Sequence, residues 1–147
     1  MFQGTFNHTI DKKGRVSIPS KFREVLKEKY TEEVMLIRDT DKCLVAYPMA
    51  EWKVFGEKFK QLSRHEDNEK KARRFIFSEA EKCSLDKAGR ILIPPILREY
   101  AELDKEIAVI GNFDTFEIWN KQRWEEYNKD SQDVFKNVKE RIEKLGL

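Results

Sequence analysis

A nine-residue pattern occurs twice in this chain of 147 residues. The first copy, residues 11–19, reads DKKGRVSIP, and the second copy, residues 86–94, reads DKAGRILIP. Each copy runs directly into a short amphipathic segment. An internal repeat of this kind indicates that one supersecondary unit is used twice, and it therefore limits the possible architectures more than any other feature of the chain.

Within each copy, the residue types predict a turn followed by a strand. Asp11 and Asp86 suit the first position of a type I turn, where a carboxylate can accept hydrogen bonds from backbone groups two residues on. Gly14 and Gly89 can adopt the left-handed φ that allows a second strand to begin. The alternation of apolar and polar residues that follows has period 2 and indicates a half-buried strand.

A short helix is expected after each of these strands. Pro19 and Pro94 should end the strands, because proline has no N–H group to donate to a ladder. Proline also suits the first turn of a helix, so helices are expected near residues 20–29 and from Pro95 onward. Helical spacing gives each helix one apolar face, formed by Phe22, Val25 and Leu26 in the first helix and by Ile96, Leu97 and Tyr100 in the second.

Further strands and a longer helix complete each half. The first half has expected strands at residues 2–10, 34–37 and 43–47, and the second half begins with Phe75-Ile76-Phe77 and has later strands at 107–110 and 116–119. The closing helices begin near Pro48 and Lys121, and the spacing of their aromatic residues predicts core packing rather than base-stacking platforms. Both halves therefore run strand, turn, strand, helix, strand, strand, helix.

The domain organisation follows from this order. The first repeat with its helix covers residues 1–62, the second repeat covers 75–128, and a C-terminal helix covers 129–147. Residues 63–74 are almost wholly polar and are interpreted as a linker or a solvated helical extension. The last helix carries an apolar stripe of Val134, Val138, Ile142 and Leu145, which must be covered by its own core or by another subunit, and its own core is favoured.

Composition excludes several classes of protein. Charged residues make up 38% of the chain, and no apolar run approaches the roughly 20 residues of a membrane span. The sequence has no secretory signal pattern, so a cytoplasmic protein is expected. The net charge is only +2, so any basic surface must be local. Cys43 and Cys83 lack metal-ligand spacing and are expected to be buried, reduced thiols.

Catalysis has little support in the sequence. His8 and His65 lie in unrelated contexts, and neither is near the acid and nucleophile that a triad requires. No glycine-rich phosphate loop is present. Asp11 and Asp86 could form a carboxylate pair, but their turn role explains both. We therefore predict no catalytic residues, metal, cofactor or small-molecule substrate.

The chain also resembles a known family. The resemblance lies in the doubled D-x-x-G-R-(apolar)-x-I-P motif and in three further segments: Met1-Phe2-Gln3-Gly4, Tyr47-Pro48 to Trp52, and Ile118-Trp119 to Trp124. Together these closely resemble the MraZ transcriptional regulators, from Met1 to about Tyr127. The resemblance implies an α+β fold with two SpoVT/AbrB-type repeats. These would form a β-rich barrel of two interlocked, swapped hairpins with short flanking helices.

The resemblance further implies a function. The expected protein is a sequence-specific DNA-binding regulator, a repressor of a bacterial cell-division and cell-wall gene cluster. It would bind repeated upstream sites in double-stranded DNA as a ring-like homo-oligomer, in the cytoplasm and associated with the nucleoid. The alternative is an oligomeric protein-interaction module that does not bind nucleic acid.

The candidate DNA-contacting residues belong to or follow the repeated motif. In a single copy, an ion pair with the neighbouring Asp would explain Arg15 or Arg90, but the repetition and the resemblance favour DNA contact, for which a planar guanidinium is suited. The lysines of the turns would contact phosphates, and basic residues on the following helices either extend the strip or form a solvated face. These additional residues are Lys12, Lys13 and Lys87 in the turns, and Lys21, Arg23 and Arg98 on the helices.

Overall fold

The two halves share eight strands and six helices in the computed structural model, which describes residues 1–147. The strands are β1 (Thr5–Thr9), β2 (Arg15–Ser17), β3 (Glu33–Asp39), β4 (Cys43–Pro48), β5 (Glu81–Ser84), β6 (Arg90–Leu92), β7 (Glu106–Asn112) and β8 (Thr115–Asn120). The helices are α1 (Ser20–Lys29), α2 (Met49–Phe59), α3 (Asp67–Phe77), α4 (Pro95–Tyr100), α5 (Lys121–Tyr127) and α6 (Ser131–Glu143). These positions confirm the expected helices after each motif and most of the expected strands.

The strands form two antiparallel sheets. Six of them make one sheet in the order β1-β7-β8-β4-β3-β5, and β2 pairs with β6 in a separate two-stranded sheet. The first strand of each half lies beside a strand of the other half, because β1 pairs with β7 and β5 pairs with β3. The α+β class with a β-rich antiparallel sheet and short helices is confirmed.

A closed barrel is not found among these ladders. The six-stranded sheet is open, with β1 and β5 at its edges. The isolated bridge between Ile10 and Val16 connects the first strand to β2. Since β2 and β6 have only three residues each and run into Pro19 and Pro94, they are too short to continue the sheet around the core.

The main core lies between the two sheets. Val16 of β2 and Ile91 of β6 point inward and are buried with Leu36, Phe116 and Ile118 of the large sheet. Helices α1 and α4 close the sides of this core with Phe22, Leu26 and Leu97. The small sheet is thus a two-stranded cover over one face of the large sheet, with its other face turned outward.

Two expectations about apolar segments are wrong. Phe75-Ile76-Phe77 forms the last turn of α3 instead of a strand. The rings of its two phenylalanines pack against Tyr100 and against Trp52, with centroid separations of 6.1 and 5.4 Å, respectively. Ile96 is exposed on α4 instead of facing the core, because Leu97 takes the buried position in this six-residue helix.

The apolar stripe of α6 does not pack on the core of its own chain, contrary to the favoured expectation. Val134, Val138 and Leu145 are exposed, and no residue of α6 is buried. The helix follows a short 3-10 turn at Asn128–Asp130. Most of the stripe is uncovered within this chain, and only Ile142 is partly buried.

The aromatic residues of α2 and α5, the helices that close the two halves, pack against neighbouring rings. Trp52 and Phe55 of α2 stack at 5.4 Å, and Trp124 of α5 packs edge-on against Trp119 of the sheet at 5.3 Å. These contacts meet the expectation of core packing only in part, because the rings pack together but α2 and α5 contain no fully buried residue. No helix is both long enough and apolar enough to cross a bilayer.

Candidate nucleic-acid interface

The first repeated turn has the predicted geometry. The backbone N–H of Gly14 donates to the carbonyl oxygen of Asp11 at 3.0 Å, and Gly14 has a φ of +90°. The Asp11 carboxylate accepts two further backbone hydrogen bonds through Oδ1, from Lys13 at 3.0 Å and from Arg15 at 2.9 Å. The carboxylate and the backbone carbonyl of Asp11 therefore hold the backbone of Lys13, Gly14 and Arg15 in the turn.

The second turn repeats this arrangement. Gly89 donates its backbone N–H to the carbonyl oxygen of Asp86 at 3.0 Å and has a φ of +75°. The Oδ1 atom of Asp86 accepts from the backbone N–H groups of Ala88 and Arg90, both at 2.9 Å. The turn-forming roles of Asp11, Gly14, Asp86 and Gly89 are thus the same in both halves.

The strands that follow the turns form an exposed antiparallel ribbon. Arg15 lies opposite Leu92, and Ser17 lies opposite Arg90. The central pair, Val16 and Ile91, is buried, so the other four side chains share the outward face, because successive side chains of a strand alternate between faces. We call Arg15, Ser17, Arg90 and Leu92 the ribbon face.

Both arginines of the ribbon face pair with the carboxylate of their own turn. The Nε atoms of Arg15 and Arg90 lie 2.7 and 3.1 Å from the Oδ2 atoms of Asp11 and Asp86, respectively. The local ion pair considered as the alternative explanation is therefore present. Such exposed pairs add little stability, but these two hold each guanidinium through Nε only and leave its two terminal nitrogens available to a ligand.

Arg23 and Arg98 do not lie on solvated helix faces. Arg23 of α1 packs over the second turn, where a Cβ atom on Gly89 would come within 2.6 Å of its side chain. Arg98 of α4 packs over the first turn in the same way: a Cβ atom, if one were added to Gly14, would lie 2.6 Å from its side chain. The Nε of Arg23 donates to the carbonyl oxygen of Ile18 at 3.1 Å, whereas the Nε of Arg98 is buried without a partner.

The lysines named from the sequence are all exposed. Lys12 and Lys13 lie in the first turn, Lys87 lies in the second turn, and Lys21 lies at the start of α1. Because the two strands of the ribbon are antiparallel, the two turns lie at its opposite ends. The ribbon therefore has lysines at both ends and arginines on its face.

A groove lies beside the first turn. It has a volume of about 500 Å³ and is lined by Lys13, Lys82, Leu92 and Arg98, among others. A smaller groove of about 120 Å³ lies beside the second turn, with Arg23, Lys27 and Lys87 in its lining. Positive side chains thus adjoin both turns, together with Glu81 in the first groove and Glu32 and Asp86 in the second.

Ser17, Lys82 and Leu92 belong to this surface but were not identified from the sequence. The repeat contains a signal for Ser17 and Leu92. The apolar residues on either side of each mark the buried face of the strand, so Ser17 and Leu92 must lie on the outward face. Lys82 has no such signal, and it is the folded chain that places it in the same groove as Lys13 of the first turn. Its Nζ lies 3.1 Å from Glu33 of β3.

Of the two cysteines, only Cys83 adjoins this surface, because it contributes to the lining of the groove beside the first turn. Cys43 and Cys83 are free and buried, as expected, and burial raises the pKa of the Cys83 thiol to about 12. Burial likewise raises the pKa of Cys43. Both thiols are therefore protonated at neutral pH and are poor nucleophiles and ligands.

No group of three or more His, Cys, Asp and Glu side chains has a metal-binding arrangement.

The turns are expected to loosen only in strong acid. The backbone N–H of Arg15 is the main group that holds the pKa of Asp11 below its usual value of 3.8, and Arg90 does the same for Asp86. Because the folded-state pKa is lowered, the stabilisation is complete above pH 3.8 and is lost as the pH falls through the folded value. An NMR titration of the side-chain carboxyl carbons should give midpoints below 3.8 for both residues.

Asp39 provides an internal reference for this titration. Burial raises its pKa above 3.8, so its midpoint should lie above those of the two turn residues. The Asp11→Asn and Asp86→Asn variants assign the two signals. Midpoints for the turn carboxyls at or above that of Asp39 would contradict the proposed hydrogen bonding.

The doubled turn, strand and helix and the exposed ribbon define a two-repeat α+β protein. The family model described as "MraZ protein, putative antitoxin-like" matches residues 1–75 and again residues 76–145. Over 147 residues, covering all of both chains, the protein is 45% identical to the transcriptional regulator MraZ of Clostridium acetobutylicum. It is 44% identical to that of Alkaliphilus metalliredigens and 42% identical to that of Pediococcus pentosaceus, with the same coverage. The chain belongs to the MraZ family of transcriptional regulators, which are not enzymes.

Proposed function

We propose that the protein is a sequence-specific DNA-binding transcriptional regulator whose ribbon face enters the major groove. The observation that carries this proposal is the position of Arg15 and Arg90, on one exposed face of a two-stranded antiparallel ribbon. The major groove of B-DNA admits such a ribbon, and an Arg fork matches the O6 and N7 acceptors of guanine. The ion pairs with Asp11 and Asp86 orient the two guanidinium groups before DNA is bound.

The spacing of the two arginines suits neighbouring base pairs. Arg15 and Arg90 are diagonal neighbours across the ribbon, a relation in which residues lie about 7–8 Å apart. Successive base pairs are about 3.4 Å apart along the helix axis. The two side chains can therefore reach bases about two steps apart without a change in the backbone.

The lysines of the turns would hold the ribbon in the groove. Lys12 and Lys13 at one end and Lys87 at the other can contact phosphates, which position a protein on DNA without reading its sequence. Lys21, Arg23 and Arg98 extend the positive surface on both sides. The packing of the two arginines over Gly89 and Gly14 also fixes each turn against the helix of the other half.

The exchange of strands between the halves supports an interlocked arrangement of the AbrB type. Each turn is tied to the opposite half by a backbone hydrogen bond, from Ile93 to Gly14 at 2.9 Å and from Ile18 to Gly89 at 3.0 Å. We infer that this swapped-hairpin unit, with repeats at residues 1–62 and 75–128 and the segment 63–74 between them, acts as one rigid reading head.

Self-association is the second part of the proposal. The uncovered apolar stripe of α6, in the C-terminal segment 129–147, is the surface that a second copy would cover. A ring-like homo-oligomer would present several ribbon faces to repeated sites, and the effective concentration of the later contacts would then be high. This would offset the modest net charge of +2 on each chain.

The regulatory role follows from the family. We propose that the protein represses a bacterial cell-division and cell-wall gene cluster by binding double-stranded DNA upstream of it, in the cytoplasm and at the nucleoid. Membership in a family of transcriptional regulators supports this role. Since the proposed interface needs only arginine, lysine and backbone groups, no cofactor, metal, membrane or small-molecule substrate is required.

Binding should be selective and should fall steeply with salt. Fluorescence anisotropy would compare a labelled duplex from the region upstream of the protein's own gene with a scrambled duplex. If Lys12, Lys13 and Lys87 each neutralise one phosphate, they alone contribute a slope of about −2.7 to log K against log salt concentration for each bound subunit. The upstream duplex should bind more tightly than the scrambled duplex at every salt concentration.

The contribution of self-association can be measured in the same assay. Duplexes with one site and with several sites would be compared for the full chain and for a chain ending at residue 130, and sizing chromatography would give the oligomer size of each. The shortened chain should be smaller and should lose the gain from repeated sites. Equal, salt-insensitive binding to all duplexes would refute the DNA-binding proposal and would favour the alternative module that binds only proteins.

A further inference from the structure

The two strands of the ribbon differ at one pair of equivalent positions on the ribbon face. Ser17 follows Arg15 by two residues, and Leu92 follows Arg90 by two residues. Both side chains are exposed on the outward face, and each lies opposite the arginine of the other strand. One end of the ribbon therefore presents an arginine beside a hydroxyl, and the other end presents an arginine beside an isobutyl group.

The core does not require an apolar residue at position 92. Ile91 and Ile93, on either side, are fully buried and supply the apolar contacts of this strand. The Leu92 side chain is 58% exposed, because Leu92 lies two residues after Arg90 and shares the outward face of the strand with it. A contribution to folding stability does not explain a leucine at this position, because a leucine stabilises a fold mainly through the apolar area that it removes from water.

The surroundings of Leu92 limit what could cover it. Arg15 lies directly across the ribbon, and Lys13, Lys82 and Arg98 line the groove to which Leu92 also contributes. An apolar partner surface would bury these charges, including the ion pairs of Arg15 with Asp11 and of Lys82 with Glu33, at a large cost, because charged groups are costly to remove from water. The occupant must therefore be an anion that carries a small apolar group at the depth of the ribbon face.

Double-stranded DNA meets both requirements. Its phosphates pair with the surrounding cations, and the only apolar group among the base-edge features of the major groove is the C5-methyl group of thymine. Resting on the proposed function, we propose that Leu92 contacts a thymine methyl group and is a specificity-determining residue of the ribbon. The Ser17 hydroxyl can hydrogen-bond to any base. Discrimination between thymine and the other bases through a methyl contact therefore belongs only to the end of the ribbon that carries Leu92.

Replacement of thymine by deoxyuridine tests this contact, because the exchange removes the methyl group alone. A preferred duplex would first be selected from a random-sequence pool with the wild-type protein. Each thymine of that duplex would then be replaced in turn, and its affinity would be measured for the wild type, Leu92→Ala and Val54→Ala. Val54 is the matched control, since it is an aliphatic side chain that is 50% exposed and lies on α2, outside the ribbon.

At one thymine position or more, the exchange should weaken binding of the wild type and of Val54→Ala by about fourfold, the effect of one buried methyl group. The same exchange should leave the affinity of Leu92→Ala unchanged. Because thymine and deoxyuridine are compared within each protein, a loss of stability in a variant does not mimic this result.

Two outcomes would overturn the proposal. If all three proteins respond equally to every exchange, Leu92 does not contact a thymine methyl group, and the inference fails while the DNA-binding function stands. If no duplex is selected and the Arg15→Ala/Arg90→Ala variant retains the wild-type affinity for DNA, both the proposed function and this inference fail.

Discussion

Replacing Arg15 and Arg90 together with alanine is expected to weaken binding of the upstream duplex by at least about thirtyfold. Each arginine that reads a guanine edge contributes about 1–3 kcal/mol, and the two together contribute about 2–6 kcal/mol. Because 1.4 kcal/mol is a factor of ten, the lower bound of this range corresponds to about thirtyfold. Affinity for scrambled DNA should fall less, because the lysines of both turns remain. Fluorescence anisotropy at two salt concentrations measures both changes.

Two control variants separate the reading of bases from simple charge. Arg64→Ala/Arg74→Ala makes the same change in net charge at exposed positions outside the ribbon, and it should keep the preference for the upstream duplex. Arg15→Lys/Arg90→Lys keeps the charge but removes the planar fork, so it should retain affinity for scrambled DNA and lose the preference. If the double alanine variant binds the upstream duplex like the wild type while its oligomer size is unchanged, Arg15 and Arg90 are structural residues of the turns.

The largest expected effect on stability comes from Phe22→Ala. Phe22 is 1% exposed, and its ring contacts those of Phe2, Phe6 and Phe116 at centroid distances of 5.2–5.4 Å. Removing a buried phenylalanine costs about 3–5 kcal/mol, because the transfer energy is lost and a cavity remains. For a chain of 147 residues, the melting temperature should fall by roughly 10–15 °C. Calorimetry or thermal circular dichroism measures this shift.

Phe113 is the matched control for this substitution. Its side chain is 63% exposed in the turn between β7 and β8, so Phe113→Ala should change the free energy of unfolding by no more than about 0.5 kcal/mol. Equal losses for the two variants would show that the cluster around Phe22 is not the centre of the core. Since α1 carries both Phe22 and Arg23, the variant should also loosen the packing of Arg23 over the second turn.

The predictions that were confirmed concern interactions within about four residues. The Asp-x-x-Gly turns follow from the reach of the Asp11 and Asp86 carboxylates and from the positive φ of the two glycines, and neither depends on distant parts of the chain. The helix after each motif follows from the prolines and from the apolar spacing that buries Phe22 and Leu26. Such features are local, so the sequence specifies them directly.

Two of the wrong predictions concern what covers an apolar segment. The stripe of α6 shows that one helix face is apolar, but periodicity does not say which surface meets it, and no residue of α6 is buried in its own chain. Phe75-Ile76-Phe77 has the composition of a short strand. The polar helix that precedes it continues through these residues, because the ring of Phe77 packs onto α2.

The sequence by itself determined the repeat, its turns, its positive side chains and the absence of a catalytic pattern, because each of these depends on residue type and on short spacing. Only the tertiary structure decided which strands pair across the halves, that Arg23 and Arg98 pack over the glycines of the opposite turns, and that Leu92 lies opposite Arg15. These relations join residues about 45 to 105 positions apart. Their free energy comes from burying both halves in one core, which no local pattern records.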